Sequence, residues 1–221
     1  MRALVTACGQ YRSSHMADRL AAWIQVPGRP YWALGSALKS LGHQREKADL
    51  SLIKSHLTDS GWWGWVRRDA QVALGKTRQA EAFSALLEHT HVEEPYPQVR
   101  QVLPMALAES VKWLDAGTQD RAREVMEDLI NPGQVRSILM GAAGLAQLGS
   151  TKALPKLMSL KGQLPTQFQP GLQKTINGLR SGGDTSRFAA LEKSYEKLSD
   201  TVEKLRDTIA ELEAKSTTSD S

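Results

Sequence analysis

Ala37-Leu38-Lys39-Ser40-Leu41-Gly42 decides the fold, because it returns as Val72-Ala73-Leu74-Gly75 and as Gly144-Leu145-Ala146-Gln147-Leu148-Gly149. Gly9, Gly42 and Gly75 stand 33 residues apart, and Gly117, Gly149 and Gly182 follow after 42, 32 and 33. An apolar helical stripe before a glycine, repeated with a period in the thirties, is the signature of stacked helix pairs. One such pair cannot bury its own apolar face, so successive pairs must stack. The fold class this predicts is all-α: an α-solenoid of about five helix pairs. The period speaks to architecture and leaves chemistry open.

Each glycine is expected to end the first helix of a pair by supplying a left-handed residue. The second helices are then expected near residues 13–24, 46–57, 79–88, 119–130 and 151–160, with Thr118 and Ser150 as polar starters. Leu50, Ile53 and Leu57 form one apolar stripe at helical spacing, and Ala122, Val125, Met126 and Leu129 another. Turns are expected at Val26-Pro27-Gly28-Arg29-Pro30, Asp59-Ser60-Gly61, Glu93-Glu94-Pro95-Tyr96-Pro97 and Asn131-Pro132-Gly133. No period-2 alternation of useful length occurs, so no sheet is expected. Three first helices open on Val66-Arg67, Val99-Arg100 and Val135-Arg136, and the later two run longer before their glycine.

The solenoid is expected over residues 1–184. A different pattern follows: Phe188, Leu191, Tyr195, Leu198, Val202, Leu205, Ile209 and Leu212 are spaced alternately three and four apart. That is the seam of a heptad helix over 185–215, flanked by charge and able to pair as a homodimer or to fold back on protein. Residues 216–221 are small and polar and read as a disordered tail.

Charge and composition exclude little. Twenty-eight Lys and Arg against 24 Asp and Glu give a net charge of +4, too mild an excess to point to nucleic acid. One cysteine, Cys8, rules out an internal disulfide framework and reads as a small buried hydrophobe. No apolar run is long enough to span a bilayer, and the residues leave the compartment open, with a soluble cytoplasmic one weakly favoured.

The five histidines, His15, His43, His56, His89 and His91, include none followed by glutamate, so the zinc-peptidase pattern is missing from this stretch. His89 and His91 with Glu88, Glu93 and Glu94 are the one ligand-like cluster, and they read as a solvated turn rather than a zinc site. No nucleophile elbow, phosphate loop or paired-cysteine motif occurs. No catalytic residue, metal ligand or cofactor is therefore assigned within the chain.

The residues singled out are two arginine and tryptophan sets. Trp62, Trp63 and Trp65 beside Arg67 and Arg68 are expected mainly to plug the gap between adjacent pairs, with one tryptophan on the surface. Trp62, Trp63, Trp65 and Arg68 as a contact for a protein partner rank second, and base stacking third. Arg67, Arg100 and Arg136 recur in register and are expected to form a ladder with acidic or carbonyl groups of the neighbouring pair.

The Val-Arg to Ala-Leu-Gly pattern resembles HEAT repeats of the short bacterial type. The order of motifs is more specific. Leu57-Thr58-Asp59-Ser60-Gly61-Trp62 leads to Val66-Arg67-Arg68 and Ala73-Leu74-Gly75. Asn131-Pro132-Gly133-Gln134-Val135-Arg136 leads to Gln147-Leu148-Gly149-Ser150 and Ala153-Leu154-Pro155. A heptad helix closes the chain. This order resembles the C-terminal HEAT-repeat region of bacterial zinc aminopeptidases of the aminopeptidase N family. The resemblance implies a non-catalytic helical region, with zinc and the active site in an upstream domain. Arg2 stands seven residues before Gly9 as Arg68 stands before Gly75, which led to the expectation that the first repeat is already under way at Met1. Two alternatives stay open: a free-standing HEAT scaffold that binds protein, and a HEAT-like nucleic-acid-binding protein or glycosylase, for which Trp63, Arg67 and Asp69 are the only hint.

Overall fold

A computed structural model describes residues 6–91, 94–181, 197–202, 204, 205 and 208. No strand occurs among the described residues, and the protein is all-α. The chain divides into two compact units, 1–180 and 181–221.

The first unit holds α1 (Ser14–Gln25), α2 (Tyr31–Gly42), α3 (Leu50–Ser55), α4 (Trp65–Lys76), α5 (Ala80–Glu88), α6 (Pro97–Val111), α7 (Ala116–Asp128), α8 (Val135–Leu148), α9 (Leu154–Lys161) and α10 (Gln169–Arg180). The even-numbered helices lie side by side in chain order, α2 on α4, α4 on α6, α6 on α8 and α8 on α10. The odd-numbered helices form a second row, each packed on the even helices before and after it in the cases of α5 and α7. Leu38, Leu41, Leu74, Leu107, Ile138 and Leu145 from the even row meet Ile53, Leu86, Met126 and Leu157 from the odd row in one core, all less than 2% exposed. Cys8 packs half-buried against its edge.

The period is real, but its glycines act differently from the expected way. Of the glycines in the period, Gly149 leaves its helix in the left-handed conformation, at φ +73°, and donates its N–H to Leu145 and Ala146. Gly42 and Gly75 stay helical and serve close approach instead. A Cβ on Gly42 would sit 2.7 Å from Ala73 Cα, one on Gly75 2.8 Å from Ala106 O, and one on Gly9 3.1 Å from Ser40 Cα. Each glycine thus meets the residue 31 positions ahead, and the 33-residue repeat records where neighbouring backbones touch. Gly144 plays the same part against Pro104, whose carbonyl oxygen is 2.8 Å from the built Cβ.

Gly117 is a correction. It lies inside α7, because α6 ends at Val111 and Asp115 opens the next helix by accepting from Thr118 N at 3.0 Å. Thr118 is therefore the capped residue and not the cap. Residues 46–57 do not form one helix either. A 3₁₀ turn at Arg45–Lys47 ends at Ala48, Asp49 caps the six-residue α3 through Leu52 N at 2.9 Å, and a second 3₁₀ turn follows at His56–Thr58. An Asp side chain that satisfies an orphan amide starts a new helix where it stands.

In the second unit, residues 197–202, 204, 205 and 208 are helical, and Leu198, Val202 and Leu205 are exposed. Phe188, Leu191, Tyr195, Ile209 and Leu212 of the expected seam lie outside the described residues, as does Gly182.

Candidate functional site

The tryptophans are not plugs. Trp62, Trp63 and Trp65 are 58%, 75% and 41% exposed, and Trp32 at the start of α2 adds a fourth open indole. The backbone explains the difference. Trp62 and Trp63 both adopt left-handed φ, +53° and +57°, and Gly64 follows at +74°. For a non-glycine residue that conformation costs about 1–2 kcal/mol, and it turns both indoles outward before α4 begins. Val66 takes the core position instead, fully buried.

The turn is held from both sides. Asp59 Oδ1 accepts from Gly61 N at 2.8 Å, and Gln98 Nε2 of the next repeat donates to the Trp63 carbonyl. Gly64 must be glycine twice over. Its φ is left-handed, and a Cβ would lie 2.7 Å from Val99 Cγ2 and 2.8 Å from Tyr96 Cδ2. Trp62 stacks on Tyr31 with centroids 4.6 Å apart, and the Arg68 guanidinium lies 4.4 Å above the Trp65 ring. Together these form an aromatic edge between α2 and α4.

Of the three in-register arginines, one is engaged. Arg67 Nη1 donates to Glu94 Oε2 of the next repeat at 2.8 Å, with its guanidinium 5.5 Å from the Tyr96 ring. Glu94 Oε1 also accepts from Tyr96 N at 3.0 Å. Arg100 and Arg136 are exposed and form no ion pair among the described residues. The missed register is Arg12, Arg45 and Arg78, also 33 apart and readable in the sequence. Arg45 is buried, Arg45 and Arg78 share a left-handed φ of +58°, and Arg78 stacks 3.7 Å over Trp113. The signal was present at the same period as the glycines, three residues after each.

Asp69, the acid a glycosylase reading would need, is 7% exposed and occupied. Its carboxylate meets Lys39 Nζ at 3.1 Å and Arg68 Nη2 at 2.6 Å. It rests on Gly35, where a Cβ would lie 3.0 Å from Asp69 Cγ.

Beyond the aromatic edge, α4, α6 and the start of α8 enclose a groove of about 530 Å³. Arg67, Gln71, Arg100, Gln101, Ser137 and Met140 are among the residues that line it. Gln71 Oε1 and Arg67 Nε are buried there without hydrogen-bond partners. An unmet buried polar group costs about 1–3 kcal/mol.

At the opposite end of α2 and α4, Lys76 Nζ lies 2.9 Å from His43 Nε2. Burial first, then the charges of Lys76, Arg12 and Arg45, push the His43 imidazole down to about 4. Burial likewise lowers Lys76, against the pull of Glu109. A neutral His43 Nε2 accepts a hydrogen bond from the Lys76 ammonium, so this pair ties two repeats without a carboxylate between them.

Among the described residues no three His, Cys, Asp or Glu side chains converge to hold a metal ion, and no helix is long and apolar enough to cross a membrane. His56 and Asp59 pair at 3.8 Å, and His89 Nδ1 lies 3.2 Å from the Ala85 carbonyl. Searches against the models of known protein families and against curated proteins give no match to this chain.

Proposed function

We propose that the chain is a non-catalytic helical scaffold of HEAT-like, α-solenoid architecture that holds a protein partner at its aromatic edge. The observation that carries the proposal is the exposure of Trp62, Trp63 and Trp65 on a turn whose strain the next repeat sustains. Strained backbone that presents large indoles to solvent does nothing for the core. Indoles beside arginine are the residue types that dominate binding energy at protein interfaces. The even helices touching through Gly42 and Gly75, with Gly9 against Ser40 of α2 in the same register, support the solenoid reading, since each contact repeats with the sequence period.

The partner follows from the resemblance: a zinc-bearing catalytic domain of the aminopeptidase N kind, with the zinc entirely on that domain. A free-standing scaffold is the alternative. The genomic reading frame upstream of Met1 separates the two. An in-frame His-Glu-x-x-His supports the peptidase assignment, and a stop codon removes it. The contact itself is tested by titrating that domain with the wild-type chain and with Trp63→Ala. Loss of tenfold or more in affinity is expected; equal binding would refute the aromatic edge as the contact. The seam over 185–215 is proposed to pair two copies of the chain, with Val202 and Ile209 at a and leucine mostly at d. Sedimentation with and without residues 187–221 tests it, and an unchanged mass sinks the dimer.

A further inference from the structure

The groove between α4, α6 and α8 carries hydrogen-bonding capacity that the fold leaves unused. Gln71 is 3% exposed, and its Oε1 has no donor. Arg67 stands one helical turn before it on α4. Its Nη1 is fixed by Glu94, and the Tyr96 ring lies beside its guanidinium, so its buried Nε–H is a pinned donor without an acceptor. Native interiors pair their buried polar groups almost without exception, and two exceptions one turn apart in the wall of one groove call for an account.

A lone acceptor beside a lone donor is the complement of a peptide unit, which offers one N–H and one carbonyl. The Gln71 amide sits on three rotatable bonds, so a small rotation about the last of them presents Oε1 to the groove. The Arg67 Nε–H is closed to water where it stands, so the side chains over it give way as the carbonyl enters. The charge of the groove points the same way. Among the described lining residues, Arg67 and Arg100 face one carboxylate, Glu94, and Arg100 has no ion pair. A segment with its own carboxylate therefore gains at Arg100 a partner that no described residue supplies. Leu103, Pro104 and Met140 give the same groove an apolar part for an aliphatic side chain. About 530 Å³ accommodates a few extended residues and not a folded domain.

We infer that this groove binds an extended, acidic segment of a protein partner, with its backbone amide on Arg67 and Gln71 and a side-chain carboxylate on Arg100. The inference rests on the scaffold reading and adds a second contact, separate from the tryptophans.

The test is selection of linear heptapeptides displayed as internal segments on phage against the full chain, followed by anisotropy titration of the selected sequences, blocked at both ends. The expected peptides carry Asp or Glu within two residues of an aliphatic side chain. Their affinity falls tenfold or more in Arg100→Glu and in Gln71→Leu and stays unchanged in Trp63→Ala. Arg100 is exposed, so its variant keeps the fold whatever Gln71→Leu does, and far-ultraviolet circular dichroism checks both. The inference is overturned if no peptide is selected, if the selected peptides bind Arg100→Glu as tightly as wild type, or if they depend on Trp63. It is overturned as well if oligothymidylate competes at the groove more strongly than the peptides, which would assign Arg100 to phosphate. Loss of partner binding in Trp63→Ala with no peptide selected would leave the scaffold reading standing and remove the groove alone.

Discussion

Gly42→Ala tests the claim that the repeat period marks backbone contact between α2 and α4. The added Cβ would lie 2.7 Å from Ala73 Cα and 2.8 Å from Ala73 C, both main-chain atoms that cannot rotate away. Ordinary contact begins near 3.4 Å, so α2 must retreat by at least about 0.7 Å at this end, and further to clear the Ala73 carbonyl oxygen, which lies nearer still. A gap of that size forfeits roughly a quarter to a half of the dispersion energy across it. Leu38, Leu41, Ala70 and Leu74, all fully buried, lie on these two helices. Overpacking of this kind costs about 1–3 kcal/mol, and alanine's better helix propensity returns at most about 1 kcal/mol near a helix end. The net expectation is a loss of about 1–2 kcal/mol, or roughly 2–8 °C in Tm for a chain of this size. Urea denaturation followed by circular dichroism at 222 nm measures it, with the m value unchanged. Gly162→Ala is the control: its φ is −68° and nothing lies within 4 Å of a built Cβ. It is expected to gain about 0.5–1 kcal/mol. If Gly42→Ala is as stable as wild type, the close-approach reading of the period is wrong.

His43 makes stability depend on pH. Its native pKa is about 4 against an ordinary 6.5, so between these values the unfolded chain binds the extra proton and stability falls as pH falls. From pH 7 to pH 5 the loss is roughly 1 kcal/mol after allowing for the solvent that still screens this partly open imidazole, and urea titrations of His43→Gln should lack that component. Arg67→Ala strands the nearly buried Glu94 carboxylate and should cost about 2 kcal/mol, less than a fully buried pair because both groups keep some solvent. Arg136→Ala, exposed and without an ion pair among the described residues, should stay within about 0.5 kcal/mol by the same melt. Trp63→Ala, 75% exposed in wild type, should leave Tm within about 2 °C, since alanine keeps the Cβ that makes the left-handed φ costly, while partner binding falls tenfold or more.

Legibility differed by feature for identifiable reasons. The second helices 13–24, 79–88, 119–130 and 151–160 were expected close to where α1, α5, α7 and α9 stand, because apolar spacing of three and four reports directly on the buried face. Helix starts fared worse. Asp49 and Asp115 are the working caps, where the glycine spacing predicts starts at Glu46 and just after Thr118. The sequence favours packing for two of the tryptophans, with a protein contact second, because an apolar residue alternating with outward Arg67 and Arg68 reads as buried. The exposure of the indoles follows from three successive left-handed residues, a local conformation that no apolar pattern encodes. Glu94 lies in a turn between Glu93 and Pro95, and only the approach of the next repeat makes it the partner of Arg67.

By itself the chain of residues determined the class and the beat: all-α, with helices recurring about every 33 residues, since the burial period and the glycine period are both local properties. What the glycines are for was decided only in three dimensions. A glycine that ends a helix and a glycine that admits a neighbouring backbone look identical in one chain, and the difference lies in an atom 31 residues away. The groove belongs to the same category. Gln71 and Arg67 are ordinary helical residues until the folded chain buries Gln71 Oε1 and Arg67 Nε in the wall of the groove.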